Sequence, residues 1–259
     1  MTHDDYVPKY LRGQGAEIGA FKTPIPGISP YYIDKFDTYD GEKCLVDYLG
    51  DAVSLPFENE SLDFVASSHV LEHIANPIKA LLEWQRVLKP GGVVYTVIPD
   101  RRFTFDHRRE LTTAEHMIDD YRKGTTDCDA VHINDFIYGI DWSQTHPDIP
   151  ENEVPNHQKS HSEYYEKEVT EGREINLHFH VFEPQSFIEL IGVCEKSREV
   201  QLKLKIEEVV ESFPKPVANG FLAVLRKEGS VSVANQVVRK IRKLLNTGYP
   251  VKKTAKKVS

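Results

Sequence analysis

His69, Glu72 and His73 stand at positions i, i+3 and i+4, so a turn of helix would put two imidazoles and a carboxylate on one face. Such side chains ligate divalent metals. An imidazole with an ordinary pKa near neutrality can also take a proton from a hydroxyl. His178 and His180 alternate in an extended stretch and so face one way, which lets either join that set. Further upstream stand three acids, Glu17, Asp34 and Asp51, with Asp47 a competitor for the third. A carboxylate at a strand end suits a ribose diol, because it accepts two hydroxyl hydrogen bonds. One placed after the next strand can accept from an adenine amino group. Gly19 lets backbone approach a ligand closely.

These residues need strands to carry them. Ala16–Gly19 reads as a brief strand, Tyr31–Ile33 as a second ending at Asp34, and Cys44–Val46 as a third closed by Asp47. The apolar run Phe64–Ser67 is a fourth. Pro77 opens a helix with Leu81, Leu82, Trp84 and Leu88 at helical spacing. Pro90-Gly91-Gly92 stops it, and Val93–Ile98 is a fifth strand. Strand, helix, strand at this length is a right-handed βαβ unit, and ligands of such sheets bind beyond the carboxyl ends of the strands. That edge is where His69, Glu72 and His73 fall. Downstream, Thr112-x-x-Glu115 reads as a capping box for a helix through about Lys123. Residues 124–177 are polar and too long for a loop, so they read as an inserted cap. His178–Phe182 is extended, Glu183–Cys194 helical, and Leu202–Glu211 with Gly220–Leu225 are two closing strands.

Taken together, Glu17-Ile18-Gly19, Asp34, Asp51-Ala52 with Leu55-Pro56-Phe57, Val70-Leu71-Glu72-His73 and the run Arg86-Val87-Leu88-Lys89-Pro90-Gly91-Gly92 resemble the class I S-adenosylmethionine (SAM)-dependent methyltransferases. The resemblance covers about residues 15–100. It implies an α/β fold, a Rossmann-like seven-stranded mostly parallel sheet, with SAM across the ends of the first four strands and an inserted cap after the fifth. By that resemblance Glu17, Gly19 and Ala20 flank the methionyl part, Asp34 the ribose, and Asp51 with Ala52 the adenine, while Ser67 and Ser68 line the fourth strand end. One departure is visible. The glycine-rich turn and helix of the family give way to Ala20-Phe21-Lys22-Thr23-Pro24 in a proline-rich loop. A dinucleotide needs that helix N-terminus for its pyrophosphate, whereas SAM carries no phosphate.

The cluster His69-x-x-Glu72-His73 keeps three readings. It matches an inverted zinc-protease motif, although it follows a strand rather than lying in a long helix. It is similar to the E-x-x-E-H cluster by which some RNA 2′-O-methyltransferases bind Mg²⁺. It also occurs in the methyltransferase family without metal, with His73 then a structural group or a general base. A narrower likeness, carried by Asp100–Asp106, Leu111–His116 and His178–Val181, is to bacterial methyltransferases of surface-polysaccharide assembly. It implies a sugar or glycan-precursor hydroxyl as acceptor, His73 or His180 as base, and Arg101, Arg102, Asp106 and His178 as substrate contacts. Rival readings are a non-catalytic SAM-fold binding module and a metal-dependent enzyme built on His69, Glu72 and His73.

The 259 residues divide into a SAM-binding half (1–100), the insert (101–183), closing elements of the same sheet (184–228) and a basic amphipathic helix with a disordered tail (229–259). The net charge of −8 hides an asymmetry: the tail after Glu228 carries +8, so the body carries −16. An acidic body argues against a nucleic-acid groove, and the tail suits an anionic membrane face or a protein partner. Cys44, Cys128 and Cys194, odd in number and far apart, fit a reducing compartment, and the N-terminus lacks an apolar signal segment. The expected location is the cytoplasm, with the inner membrane face as an option.

Overall fold

Uninterrupted burial, rather than alternation, marks the central strands, as expected where both faces of a parallel sheet are covered. In the computed structural model, which describes residues 1–39 and 41–229, β1 (Gly15–Ile18) is buried at every position. In β6 (Leu62–Ser68) Phe64–Ser67 are buried throughout. In β7 (Leu88–Pro99) burial runs unbroken from Gly92. With β2 (Tyr31–Asp34), β5 (Tyr48–Leu49), β8 (Leu204–Phe213) and β9 (Gly220–Lys227) they form one seven-stranded sheet ordered β5-β2-β1-β6-β7-β9-β8. The pairs from β5 to β7 are parallel; β9 runs antiparallel to both β7 and β8. This is the Rossmann-like class I methyltransferase architecture that the sequence implies. A small antiparallel hairpin, β3 (Thr38–Tyr39) with β4 (Glu42–Lys43), stands outside the sheet.

Alternation along β7 feeds two cores. Val94 and Ile98 join Leu81, Trp84, Phe187 and Leu190 on the face covered by α2 (Pro77–Val87) and α7 (Pro184–Lys196). Val93, Tyr95 and Val97 join Tyr6, Val7 and Tyr10 of α1 (His3–Tyr10) and Phe213 on the other. That helix was not expected in the polar residues 1–15; three buried side chains are enough to dock it. In α2, Asn76 is the N-cap, accepting from the Lys79 amide at 3.0 Å, and Pro77 occupies the first turn, where no donor is missed.

Several boundaries differ from expectation. The third strand is Tyr48–Leu49, not Cys44–Val46, because the β3–β4 hairpin intervenes; Cys44 and Leu45 instead bond backward to the Asp37 and Phe21 carbonyls. The helix ends at Val87, and Pro90-Gly91-Gly92 lies inside β7, where the register with β6 shifts. Gly92 is required there: a Cβ would sit 2.9 Å from the Lys89 carbonyl oxygen. The N-cap of α3 (Ala114–Lys123) is Thr113, and Thr112 accepts from the Val181 amide instead of opening a capping box. His178–Val181 has no regular secondary structure, and the segment meets the sheet through an isolated bridge, Asp100 to Phe182.

Residues 124–177 carry α4 (Ile133–Gly139), α5 (Trp142–Thr145) and α6 (Val154–Thr170) around their own core of Ala75, Ile133, Ile137, Trp142, Leu177 and Phe179. Residues Met1–Glu228 form one unit and a second begins at Gly229. From residue 230 on, the basic helix and tail expected over 229–259 lie outside the described residues. No helix among the described residues is long and apolar enough to cross a membrane.

Candidate functional site

A cavity of about 450 Å³ opens beyond the carboxyl ends of β1, β2 and β5, within the ordinary size range for small-molecule sites. Of the residues expected at the cofactor, Gly19, Asp34, Asp51 and Ala52 line it. Gly19 has φ +66°, and a Cβ there would lie 2.5 Å from Val70 Cγ2, so only glycine leaves this wall open. Asp34 ends β2; its Oδ1 accepts from the Phe36 amide at 3.1 Å, and burial raises its carboxyl pKa. Asp51 holds its own turn, accepting from the Val53 amide at 2.9 Å.

Glu17, Ala20 and Ser68 do not form the cavity wall. Glu17 is buried in β1, and its Oε1 accepts from the Ile25 amide at 2.8 Å, which pins the proline-rich loop that replaces the family's helix. Its Oε2 has no partner, and burial pushes its carboxyl up to about 7 against the pull of that amide. Ser67, fully buried, pairs with Thr96 at 2.9 Å within the sheet and does not line the edge.

Sequence reasoning missed much of the opposite wall. Lys35 Nζ reaches Asp51 at 2.9 Å, Asp127 at 2.5 Å and Glu174 at 3.1 Å, bridging the sheet edge to the insert. Phe21, Phe36, Tyr39, Cys44, Asn76 and Asn176 also line the cavity. Lys35 follows Asp34 directly and was findable by position. The insert residues lie in a polar stretch with no periodic signal, and only the fold brings them to the edge.

At the end of β6 the cluster takes shape without a regular helix. His69 has φ +54°, and Leu71–His73 form a single 3₁₀ turn. Both imidazoles converge on Glu72: His69 Nδ1 lies 3.7 Å and His73 Nε2 3.9 Å from Oε1. Glu72 is 1% exposed, neither oxygen has a hydrogen-bond partner, and burial pushes it up to about 7. His73 lines the cavity, packs edge-on against His178 with ring centroids 4.6 Å apart, and is pulled down to about 4 by burial and then by His178. At neutral pH it is an uncharged imidazole able to accept a proton. His69 also lines the cavity. Ligating atoms of Glu72, His73 and His178 fall within 4.8 Å of one another, so these three can hold a metal.

The expected substrate contacts lie elsewhere. Arg101 bonds Glu183 at 2.7 Å and the Arg109 carbonyl at 2.6 Å. Arg102 forks onto Asp100 at 2.9 and 2.6 Å and reaches Glu211. Asp106 is buried, accepting from Arg109 at 2.8 Å and from His178 Nδ1 at 2.6 Å. Burial alone would raise its pKa, but His178 and Arg109 hold it low. Neither these three residues nor His178 lines the cavity; Asp106 orients His178, whose ring packs against His73. His180 departs further. It is fully buried, bonded to Asp120 at 3.0 Å, and pulled down to about 4 by burial, so it has no access to a substrate. His178 and His180 thus serve separate clusters instead of one face, because the segment between them is not a strand.

A family model described as a methyltransferase domain matches residues 28–96. The biotin biosynthesis bifunctional protein of Teredinibacter turnerae is 33% identical over 105 residues, which is 40% of this chain and 16% of that protein. The sterol 4-C-methyltransferase of Caenorhabditis elegans is 32% identical over 104 residues, 39% of this chain and 27% of that one. The chain therefore spans less than a third of the length of these curated relatives. A SAM-dependent methyltransferase structure from Methanosarcina mazei is 17% identical, covers 86% of this chain and 97% of its own, and superposes with a TM-score of 0.46. Residues 28–96 thus resemble a methyltransferase domain, and that likeness implies SAM as cofactor. The residues present fit it: Gly19 leaves a wall that any Cβ would fill, Asp34 brings a carboxyl group to the cavity at the end of β2, and the cavity joins both to His73.

Proposed function

We propose that the protein transfers a methyl group from SAM to a hydroxyl of a sugar or glycan precursor, with His73 as general base. The observation that carries this reading is the single cavity shared by Gly19, Asp34, Asp51, His69 and His73. Gly19 and Asp34 hold the cofactor's methionyl-ribose side, and Asp51 with Ala52 the adenine side. When bound, SAM supplies a methyl group already activated by its positive sulfur, delivered by in-line displacement and leaving S-adenosylhomocysteine. The protein aligns the acceptor oxygen and removes its proton, which His73 takes as a neutral imidazole. Behind His73 lies the carboxyl of Glu72, which in its ionised form gives the new imidazolium a nearby counter-charge.

The acceptor class rests on the remaining lining. Phe21, Phe36 and Tyr39 offer ring faces beside Asn176 and Glu174, a mixture that suits a hydroxylated ring stacked on one face and hydrogen-bonded at its edge. The test is release of S-adenosylhomocysteine with a panel of nucleotide-activated sugars and oligosaccharides, beside phenols and amines. Turnover confined to phenols or amines overturns the acceptor class. No SAM binding by calorimetry at millimolar ligand overturns the enzyme reading and favours a binding module.

A further inference from the structure

A second histidine cluster lies away from the cavity. His116, Asp120, His132 and His180 come from α3, from the turn before α4 and from the irregular segment 178–182. Three ring nitrogens converge on one carboxylate oxygen. His116 Nε2, His132 Nε2 and His180 Nε2 lie 3.2, 3.3 and 3.0 Å from Asp120 Oδ2. His116 Nε2 and His132 Nε2 are themselves 3.0 Å apart. Asp120, His132 and His180 are buried, while His116 is partly exposed and gives the cluster a way out to solvent.

Hydrogen bonds alone satisfy this arrangement poorly. A carboxylate oxygen has two lone pairs, and three imidazoles crowd it. If His116 and His132 each point an Nε2 proton at it, those two protons meet across the 3.0 Å gap. A cation at the centre removes the clash at Nε2, since each Nε2 then offers a lone pair; the ring protons move to Nδ1, which in His132 and His180 is buried without a protein partner. The spacing fits as well. Four of the six edges of this tetrahedron are 3.0–3.3 Å and the others lie within 4.8 Å; a regular tetrahedron on the four short edges has its corners about 1.8–2.0 Å from its centre, close to the ~2.0–2.1 Å of zinc–nitrogen and zinc–oxygen bonds. The Glu72 cluster is looser, with 3.7 and 3.9 Å between Glu72 and its two nearest imidazoles.

We propose that His116, Asp120, His132 and His180 bind one zinc-class divalent ion as a closed His₃Asp site. Four protein ligands leave no open position, so the ion acts structurally. It ties α3 to the turn before α4 and to the segment that carries His178, two residues from a ligand. Asn76, the N-cap of α2, donates to the Asp120 carbonyl at 3.2 Å and couples the site to the sheet. The ion thereby fixes the insert against the edge where His73 works.

The experiment measures metal in the full-length protein purified without chelators, then reloads it with Zn(II) or Co(II). The expected result is about one zinc-class ion per chain, a lower melting temperature after chelation that Zn(II) restores, and the visible absorption of tetrahedral Co(II). His116→Ala, at the partly exposed position, and Asp120→Asn should each lose most of the metal while keeping helical circular dichroism. Glu72→Gln should keep it. Absence of bound metal with no response to Zn(II) or Co(II) overturns the proposal. So does metal that survives His116→Ala and Asp120→Asn, or that Glu72→Gln removes, since the ion would then sit in the other cluster.

Discussion

Two buried acids near the cavity behave differently from surface carboxylates, and each makes a prediction. Glu72 is buried with no hydrogen-bond partner, and that burial raises its pKa to about 7, so its neutral form competes with ionisation near neutral pH. His73 stands between that carboxyl and the cavity. His73→Ala should lower kcat by about 10²–10⁴-fold and leave SAM affinity unchanged, measured by methyl-transfer kinetics and calorimetry on the same preparation. Glu17 supports a stability prediction. Burial raises its pKa from the ordinary 4.5 to about 7, so the folded state holds the proton more tightly. Its contribution to stability is full below pH 4.5 and is lost as pH rises through 7. Glu17→Gln keeps an acceptor for the Ile25 amide and removes the titration. The variant should match the parent near pH 4 and exceed it by about 3 kcal/mol near pH 8, read from denaturant melts without cofactor. Equal curves at both pH values would sink the account.

Elements explain which of these residues could be read without coordinates. Gly19 and Asp34 were legible because they stand at the ends of short strands, and strand ends follow from apolar runs only a few residues long. Asp51 and His73 close no strand and were legible only through the motifs they stand in. The register of β5 was not, since two residues of pairing leave almost no pattern and the preceding hairpin shifts them along the chain. The partners of His178 and His180 were hidden more deeply. Asp106 lies 72 residues from the first and Asp120 lies 60 from the second, so alternation within the segment says nothing about them. Arg101, Arg102 and Asp106 had the composition of a sugar site, but Glu183 and the Arg109 carbonyl hold Arg101, Asp100 holds Arg102, and Arg109 with His178 holds Asp106. At this scale Asn76 is the most exposed to test, because it caps α2 and also donates to Asp120. Asn76→Ala should cost about 1–2 kcal/mol, visible as a fall in melting temperature.

Across the molecule, residues 1–228 carry a net charge of −16, and the tail that follows carries +8. Within that acidic field Lys35 is a local exception. It holds Asp51, on the sheet side, together with Asp127 and Glu174, on the insert side. All four residues line the same cavity, so the mouth is fastened by one ammonium shared among three carboxylates. Such a fastening differs from an apolar lid in how it answers the medium. Lys35 is a quarter exposed, so dissolved ions reach it and weaken its hold. Cofactor release, followed by stopped-flow fluorescence, should quicken several-fold between about 0.05 and 1 M salt, over which the screening length drops from more than 10 Å to about 3 Å. In Lys35→Met release should be fast at every salt concentration. The residence time of the cofactor would then be a property of the surrounding electrolyte as much as of the protein, a dwell clock wound by ionic strength.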